Sequence, residues 1–230
     1  MNKMLTITFL VSSVLFGSPQ ENSLLTYLDF QNVRITEGYM VTEQQRQFCE
    51  RLKSYGNIKT ILEIGLNAGH SAENFFQACP NLELFVSFDI NSHDYTKHAV
   101  DYLSNKYSER FLFVAGDSAV TVPKFCIDYP HQLFDLIYVD GNHTFEYAFG
   151  DIFNCGSLAH LKTILWVDDY SAQEVYTAMK ALEIRGVIKI LNVYHSSERC
   201  WAEAQYTAPF LFSRQNSLPA RYNPWRMLKR

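Results

Sequence analysis

Six short apolar runs, which recur at intervals of about 25 residues from residue 60 onward, constrain the fold of this chain more than any other feature. The runs are TILEIG, LFVSFDI, FLFVAGD, FDLIYVD, TILWVDD and VIKILNV. Each is almost continuously apolar, which is typical of parallel strands covered on both faces. The interval fits one strand plus a helical crossover. The sequence therefore predicts an α/β fold, a Rossmann-like, doubly wound and mostly parallel sheet.

The stretches between the runs have the apolar spacing of helices. Ser171 and Glu174 form a capping-box pattern before one such stretch, and Thr144 is a candidate N-cap before another. The last run, CWAEAQYTAPFLF, follows its predecessor with no room for a crossover helix. We therefore expect a C-terminal hairpin that adds one antiparallel strand at the edge of the sheet.

The pattern divides the chain into four parts. These are an apolar N-terminal segment (1–21), an N-terminal helical cap (22–58), the α/β domain (59–213) and a basic C-terminal tail (214–230). In the first part, Lys3 precedes the run MLTITFLVSSVLF, which is too short to span a bilayer. It fits either the core of a signal peptide or an apolar element that packs on the domain.

The net charge and the cysteines indicate which class of partner and which cellular compartment to expect. The formal net charge is −4 and the basic residues are scattered, which argues against a nucleic-acid partner. The five cysteines are widely spaced and form no metal-ligand pattern, so we expect free thiols in a reducing compartment. The prediction is a cytoplasmic protein, or an exported one if the first segment is a signal peptide, with no stable membrane span.

Carboxylates gather where the predicted strands end. In an open parallel sheet, ligands bind outside the carboxyl ends of the strands. Acidic residues end or follow five consecutive runs, and Gly65 and Gly69 permit a tight turn after the first. The acidic residues are Glu63, Asp89, Asp117, Asp140, Asp168 and Asp169. Carboxylates at one edge would repel one another unless a ligand or cation lay among them, so the pattern predicts a binding site.

Four segments in this order and spacing resemble the class I S-adenosylmethionine (SAM)-dependent methyltransferases. They are ILEIGLNAGHS, the strand that ends at Asp89, AGDS and FDLIYVDGNH, and the resemblance covers roughly residues 37–207. Within the class, the chain is most similar to small O-methyltransferases of the catechol and caffeoyl-coenzyme A type and their bacterial relatives. The resemblance implies that residues 59–213 are a methyltransferase domain that methylates a small hydroxylated acceptor.

The resemblance also implies the cofactor-binding residues. Glu63, Gly65 and Gly69 would shape the methionine and ribose end, with Asn67 in the same turn and Ser71 beside the methionine carboxylate. Asp89 would bind the ribose hydroxyls, and Asp117 and Ser118 would lie at the adenine edge. Asp140 completes the set. Without the resemblance, the glycine pair is equally consistent with an ordinary tight turn.

A divalent cation and a base are implied by the same comparison. In the metal-dependent branch, the ligand positions correspond to Asp140, Asp168 and Asp169, an all-oxygen triad that suits Mg²⁺. The catechol-type enzymes have a lysine where this chain has His143. Histidine can act as a base near neutral pH, so His143 and Asp140 are the candidate catalytic residues. The alternative for His143 is a loop histidine at the start of the next helix.

Three other functions remain open on the sequence. They are a methyltransferase that needs no metal, a non-catalytic relative that binds the cofactor, and a nicotinamide-dependent oxidoreductase. The absence of the three-glycine dinucleotide fingerprint argues against the last. The oligomeric state is not determined by the sequence.

Several aromatic residues have two possible roles. Trp166, Tyr170, His195 and Trp201 could line an acceptor pocket, although core packing is the more common role for such strand residues. For Tyr27, Phe30, Tyr39 and Met40, a lid over the substrate and plain packing are both possible, and packing is favoured.

Overall fold

A computed structural model describes residues 23–207 of the chain. The predicted segment 1–21 and tail 214–230 lie outside these residues. Two helices precede the first strand, and helices then alternate with strands. The helices are α1 (Leu24–Phe30), α2 (Thr42–Tyr55), α3 (His70–Ala78), α4 (Asp94–Tyr107), α5 (Ser118–Asp128), α6 (Phe145–Cys155) and α7 (Gln173–Ile184). The strands are β1 (Thr60–Ile64), β2 (Leu84–Asp89), β3 (Phe111–Ala115), β4 (Phe134–Val139), β5 (Ala159–Val167), β6 (Ile188–His195) and β7 (Cys200–Tyr206).

The seven strands form one sheet in the order β3-β2-β1-β4-β5-β7-β6. Strands β1 to β5 are parallel to one another. The chain moves outward from β1 to β3 and then returns to β4 on the other side of β1, so the strand order reverses between β1 and β4. This reversal confirms the predicted doubly wound, Rossmann-like fold, and it is where such sheets open a crevice for a ligand.

The C-terminal hairpin differs from the prediction in one respect. Strand β7 is antiparallel, as expected, but it lies between β5 and β6, so that β6 and not β7 is the edge strand. Burial explains the order. Six of the seven β7 residues are buried, whereas β6 is largely exposed or half-buried. The more deeply buried strand occupies the position between two neighbouring strands.

Of the two predicted helix caps, the one at Ser171 is wrong and the one at Thr144 is confirmed in position only. Helix α7 begins after Ala172 with no side-chain cap, and Glu174 instead accepts the backbone N–H of Phe145 at 3.0 Å. Thr144 is the N-cap residue of α6, as predicted, but its side chain makes no capping bond. Asn142 Oδ1 accepts the Thr144 N–H at 2.9 Å. The Glu174 side chain therefore joins the start of α7 to the start of α6.

The N-terminal helices cover one face of the sheet. Phe48 of α2 is fully buried, and its ring centroid lies 4.7 Å from that of Trp166 and 4.9 Å from that of Trp201. Both tryptophans are fully buried. The other face is covered mainly by α5, α6 and α7. Within residues 23–207, no helix is both long enough and apolar enough to cross a membrane.

Candidate functional site

A pocket of about 440 Å³ opens at the carboxyl ends of β1, β4 and β5. Its walls come from the strand-end loops, from a segment before α2 and from the β6–β7 turn. The lining residues are Glu37, Gly38, Tyr39, Met40, Gln44, Gly65, Leu66, Asn67, Ser71, Tyr138, Asp140, Gly141, Asn142, His143, Asp168, Asp169 and Arg199. The pocket thus lies at the strand-order reversal, where the sheet topology predicts a ligand.

The floor of the pocket depends on Gly65. Its backbone has φ +97°, and a Cβ placed there would lie 2.1 Å from the carbonyl oxygen of Asp140. The Asp140 N–H donates to Ile64 O at 2.8 Å. Only glycine permits this approach of the loops that follow β1 and β4. The predicted tight turn therefore brings the backbone of two strand ends together.

The loop from residue 65 to residue 69 is fixed by Asp89. Asp89 accepts the backbone N–H of Asn67 at 2.9 Å and that of Asn91 at 2.6 Å. Asn67 has φ +48°, and its buried Oδ1 has no partner among the described residues. That atom lies against Gly38, where a Cβ would approach it to 2.3 Å. The amide of Asn67 thus contacts the segment before α2 at the pocket wall.

Glu63 lies beneath the loop and is fully buried. It accepts hydrogen bonds from the hydroxyls of Ser71 and Ser87. Burial raises the pKa of Glu63 to about 8, although the two hydrogen bonds lower it. Ser71 lines the pocket, whereas Glu63 supports it from below.

The predicted cofactor residues fall into two groups. Gly65, Asn67, Ser71 and Asp140 line the pocket. Outside its wall lie Glu63, Gly69, Asp89, Asp117 and Ser118. Asp117 is the N-cap of α5, where it accepts the N–H of Ala119 at 2.9 Å and the Tyr147 hydroxyl at 3.2 Å.

Three ionisable side chains meet at the open side of the pocket. His143 Nε2 lies 3.2 Å from Asp169 Oδ2 and 3.7 Å from Asp140 Oδ1. The interaction with Asp140 contributes most to raising the pKa of His143, and Asp169 raises it further. Burial raises the pKa of Asp140. The arrangement can orient an imidazole and stabilise its protonated form.

Asp168 faces inward, away from this group. It is 5% exposed, and its Oδ2 accepts Gln44 Nε2 at 2.7 Å and the Tyr138 hydroxyl at 2.8 Å. Its Oδ1 accepts the backbone N–H of Asp169 at 2.9 Å. Burial raises the pKa of Asp168 to about 7, and neighbouring Asp140 raises it further.

Arg199 provides a cation within the acidic cluster. Its Nη1 lies 3.2 Å and 3.3 Å from the two carboxylate oxygens of Asp169, and its Nη2 donates to Tyr39 O at 3.3 Å. Asp169 has φ +48° and is the second residue after β5. The side chain of Arg199 therefore links the loop after β5 to the segment before α2.

The donor set does not fit the Mg²⁺ triad that the resemblance implied. Both oxygens of Asp168 are occupied by N–H and O–H donors, and Asp169 already pairs with a guanidinium. The side chains that converge are Asp140, His143 and Asp169, whose ligand atoms lie within 4.8 Å of one another. Mg²⁺ requires near-octahedral oxygen ligands at about 2.0–2.1 Å. An imidazole nitrogen and a paired carboxylate meet that requirement poorly.

Most of the residues that were candidates for the acceptor pocket or the lid do not line the pocket, in agreement with the favoured packing role. Trp166 and Trp201 are core residues, and Tyr170 packs against Tyr176 with ring centroids 5.4 Å apart. Neither these residues nor His195 line the pocket. Of the four candidate lid residues, only Tyr39 and Met40 line it. Tyr27 packs on Tyr102, and Phe30 is 84% exposed.

Sequence reasoning missed Gln44, Tyr138 and Arg199 as pocket residues. Tyr138 is the penultimate residue of β4 and could have been found from its position. Gln44 and Arg199 belong to α2 and the β6–β7 turn, whose distance from the pocket depends on tertiary packing. No local pattern identifies either.

Comparisons with known proteins agree with this geometry. Residues 62–170 match a family described as "Methyltransferase domain". A Bacillus cereus O-methyltransferase solved with SAH is 14% identical, with a TM-score of 0.67 over 85% of this chain and 94% of its own. The Streptomyces achromogenes O-methyltransferase TomG, solved with SAM, is 17% identical, with a TM-score of 0.58 over 84% and 100%.

A third similar structure is the SAH-bound methyltransferase PaMTH1 of Podospora anserina. It is 15% identical, with a TM-score of 0.64 over 80% of this chain and 88% of its own. At these identities the likeness shows the fold. No curated protein matches the chain.

Proposed function

The chain carries a class I SAM-dependent methyltransferase domain, and from this premise we propose that it methylates a hydroxyl group of a small acceptor. The observation that supports hydroxyl methylation is the position of His143. Its ring lies at the open side of the pocket, between Asp140 and Asp169. A hydroxyl group needs a base to become a good nucleophile, and a histidine held by carboxylates can supply one.

The charge of the pocket supports SAM as the methyl donor. SAM carries a sulfonium and an ammonium beside a single carboxylate, so its methionine end has a net positive charge. Asp140, Asp168 and Asp169 line the pocket and can balance this charge. We propose that Gly65, Asn67, Ser71 and Asp140 contact the cofactor directly. Glu63, Gly69, Asp89, Asp117 and Ser118 would shape the surrounding loops or bind its outer edge.

The reaction would be an in-line displacement at the sulfonium methyl. The chain's part is to align the acceptor oxygen with the methyl carbon and to take the hydroxyl proton. His143 Nε2 would accept that proton, and Asp140 and Asp169 would stabilise the imidazolium that forms.

Calorimetric titration with SAM tests the cofactor assignment. The native protein should bind SAM, and Asp140→Asn should weaken binding about tenfold or more, because a charge-assisted contact is lost. Asp128→Asn is the matched control, since Asp128 lies at the exposed end of α5 beside Lys124. Failure of the native protein to bind SAM would overturn the proposal.

Transfer of labelled methyl groups to a panel of phenols, catechols and aliphatic alcohols tests the acceptor class. His143→Gln should reduce transfer about 100-fold or more, which is the usual contribution of a general base. His131→Gln, at an exposed position, should leave transfer unchanged. Equal rates for His143→Gln and native protein would exclude His143 as the base.

The compartment and the domain bounds remain predictions. We propose a cytoplasmic enzyme, because SAM is made and used there and because the five cysteines are free thiols. The exported alternative depends on residues 1–21. The proposed methyltransferase domain covers residues 59–213, with residues 22–58 as its helical cap and a small molecule, not a nucleic acid, as acceptor.

A further inference from the structure

We propose that Arg199 serves as a built-in cation in the acidic pocket and excludes divalent metal ions from the place beside Asp169. The inference deepens the proposed function, since it concerns the same pocket and rests on it as a methyl-transfer site. In this proposal, the positive charge of Arg199 balances the negative charge of the pocket aspartates, as a metal ion would otherwise do.

The backbone at Arg199 is held in a tight turn between β6 and β7. The Arg199 N–H donates to Ser196 Oγ at 2.9 Å, and the Ser196 N–H donates to Arg199 O at 2.8 Å. The side chain extends from this turn into the pocket wall, where it is 31% exposed. Arg199 is therefore anchored at both ends, by the turn and by Asp169.

The guanidinium approaches both oxygens of Asp169, and Tyr39 O accepts from its other terminal nitrogen. Arginine stays protonated at every ordinary pH, so its charge is permanent. A divalent cation bound to Asp169 would lie within a few ångströms of that charge. The repulsion between them has to be overcome before the ion can bind.

The other candidate ligands in the pocket do little to offset the repulsion between a metal ion and Arg199. His143 Nε2 is the second neighbour of Asp169, at 3.2 Å, and an ion would have to replace this contact as well. Asp168 is turned toward Gln44 and Tyr138. Of the three aspartates, Asp140 makes no contact with the guanidinium and is the least engaged. The Tyr138 hydroxyl, which lies 2.8 Å from Asp168 Oδ2, is also 3.1 Å from Asp140 Oδ2.

Direct measurement of Mn²⁺ binding tests this inference without an acceptor substrate. Mn²⁺ is the probe because it accepts mixed carboxylate and imidazole donors and is detected by electron paramagnetic resonance. The native protein should show no saturable Mn²⁺ binding at the pocket. Arg199→Met should bind Mn²⁺ saturably, with a dissociation constant at least about tenfold below the highest Mn²⁺ concentration at which the native protein shows no binding, because the repelling charge is gone. Arg199→Lys keeps the positive charge, so this variant should show no saturable Mn²⁺ binding.

Two further variants assign any bound ion to this place. Arg199→Met combined with Asp169→Asn should lose the gained binding. Arg46→Met, which removes an exposed arginine from α2, should behave as the native protein does. Circular dichroism and thermal unfolding verify that each variant is folded.

The proposal is overturned if the native protein binds Mn²⁺ and Asp169→Asn abolishes that binding. It is also overturned if folded Arg199→Met gains none. SAM titration of the same proteins separates the two hypotheses. Loss of SAM binding in every protein would refute the proposed function, and the Mn²⁺ series would still decide the role of Arg199.

Discussion

The backbone of Gly65 lies directly against the carbonyl group of Asp140, so close that a Cβ would reach the oxygen at 2.1 Å. This contact joins the ends of β1 and β4, where the strand order reverses. It also sets the distance between the glycine loop and Asp140, both of which line the pocket. The floor of the site is therefore a backbone contact that tolerates one residue type.

Gly65→Ala should destabilise the fold and weaken SAM binding together. The added methyl group must displace backbone at a positive φ, which should lower the free energy of unfolding by about 2–4 kcal/mol. Urea unfolding measures this change. Gly186→Ala is the control, because Gly186 has φ +66° and nothing within 4 Å of its Cβ position. A control that costs as much as Gly65→Ala would show that φ strain, not the Asp140 contact, is decisive.

The pairing of Arg51 with Glu203 should contribute strongly to stability. Arg51 Nε and Nη2 each lie 2.7 Å from an oxygen of Glu203, which is 2% exposed. Arg51→Met would leave a buried charge without its partner, so unfolding free energy should fall by about 2–4 kcal/mol. Arg46→Met removes only exposed pairs and should cost less than about 1 kcal/mol.

The same pair should show a defined pH dependence. Burial raises the pKa of Glu203, but the hydrogen bonds from Arg51, Tyr55 and Tyr194 and the charge of Arg51 together outweigh burial and leave the pKa below its ordinary value of 4.5. The stabilisation is therefore complete above pH 4.5 and is lost as pH falls through the lowered value. Urea titrations across acidic pH should show the difference between native protein and Arg51→Met shrinking. A constant difference would exclude this assignment.

Glu63 should produce the opposite trend. Burial raises its pKa to about 8, so the folded state holds a proton that the unfolded state releases near 4.5. Stability should therefore decline as pH rises between these values. Glu63→Gln cannot lose a proton, so relative to native protein it should gain about 2–4 kcal/mol between pH 5 and pH 9. Urea unfolding at both values measures this, and an unchanged difference would refute it.

The Glu63→Ala variant separates charge from hydrogen bonding at this position. It leaves the Ser71 and Ser87 hydroxyls without their acceptor, so it should be less stable than Glu63→Gln at every pH. Equal stability of the two variants would indicate that solvent replaces the carboxyl group.

The imidazole of His143 should titrate above its ordinary pKa of 6.5, chiefly through Asp140. Nuclear magnetic resonance of the ring protons should show the pKa fall in Asp140→Asn and remain in Asp128→Asn. The ion pairing stabilises the fold below pH 6.5 and is lost as pH rises through the raised pKa. Methyl transfer should increase over the same pH range, as the neutral base forms. An unshifted His143 in Asp140→Asn would contradict the assignment.

The sequence determined the sheet and the glycine turn, since both depend on local patterns. Apolar runs that are separated by the length of one helical crossover predict a parallel sheet. The carboxyl ends of the strands in such a sheet meet at one edge. Gly65, Asp140 and Asp169 were therefore predictable as neighbours. The position of β7 was not, because the order of a hairpin depends on which strand is better covered by other elements.

Only the tertiary structure decided which groups pair with each pocket carboxylate. Asp168 and Asp169 are adjacent in sequence, yet one is turned inward by Gln44 and Tyr138 and the other outward to Arg199. Gln44 is 124 residues from its partner Asp168 along the chain. The strength of an electrostatic interaction depends on the distance between the two groups in space. Local patterns in a single sequence do not give that distance for residues far apart along the chain.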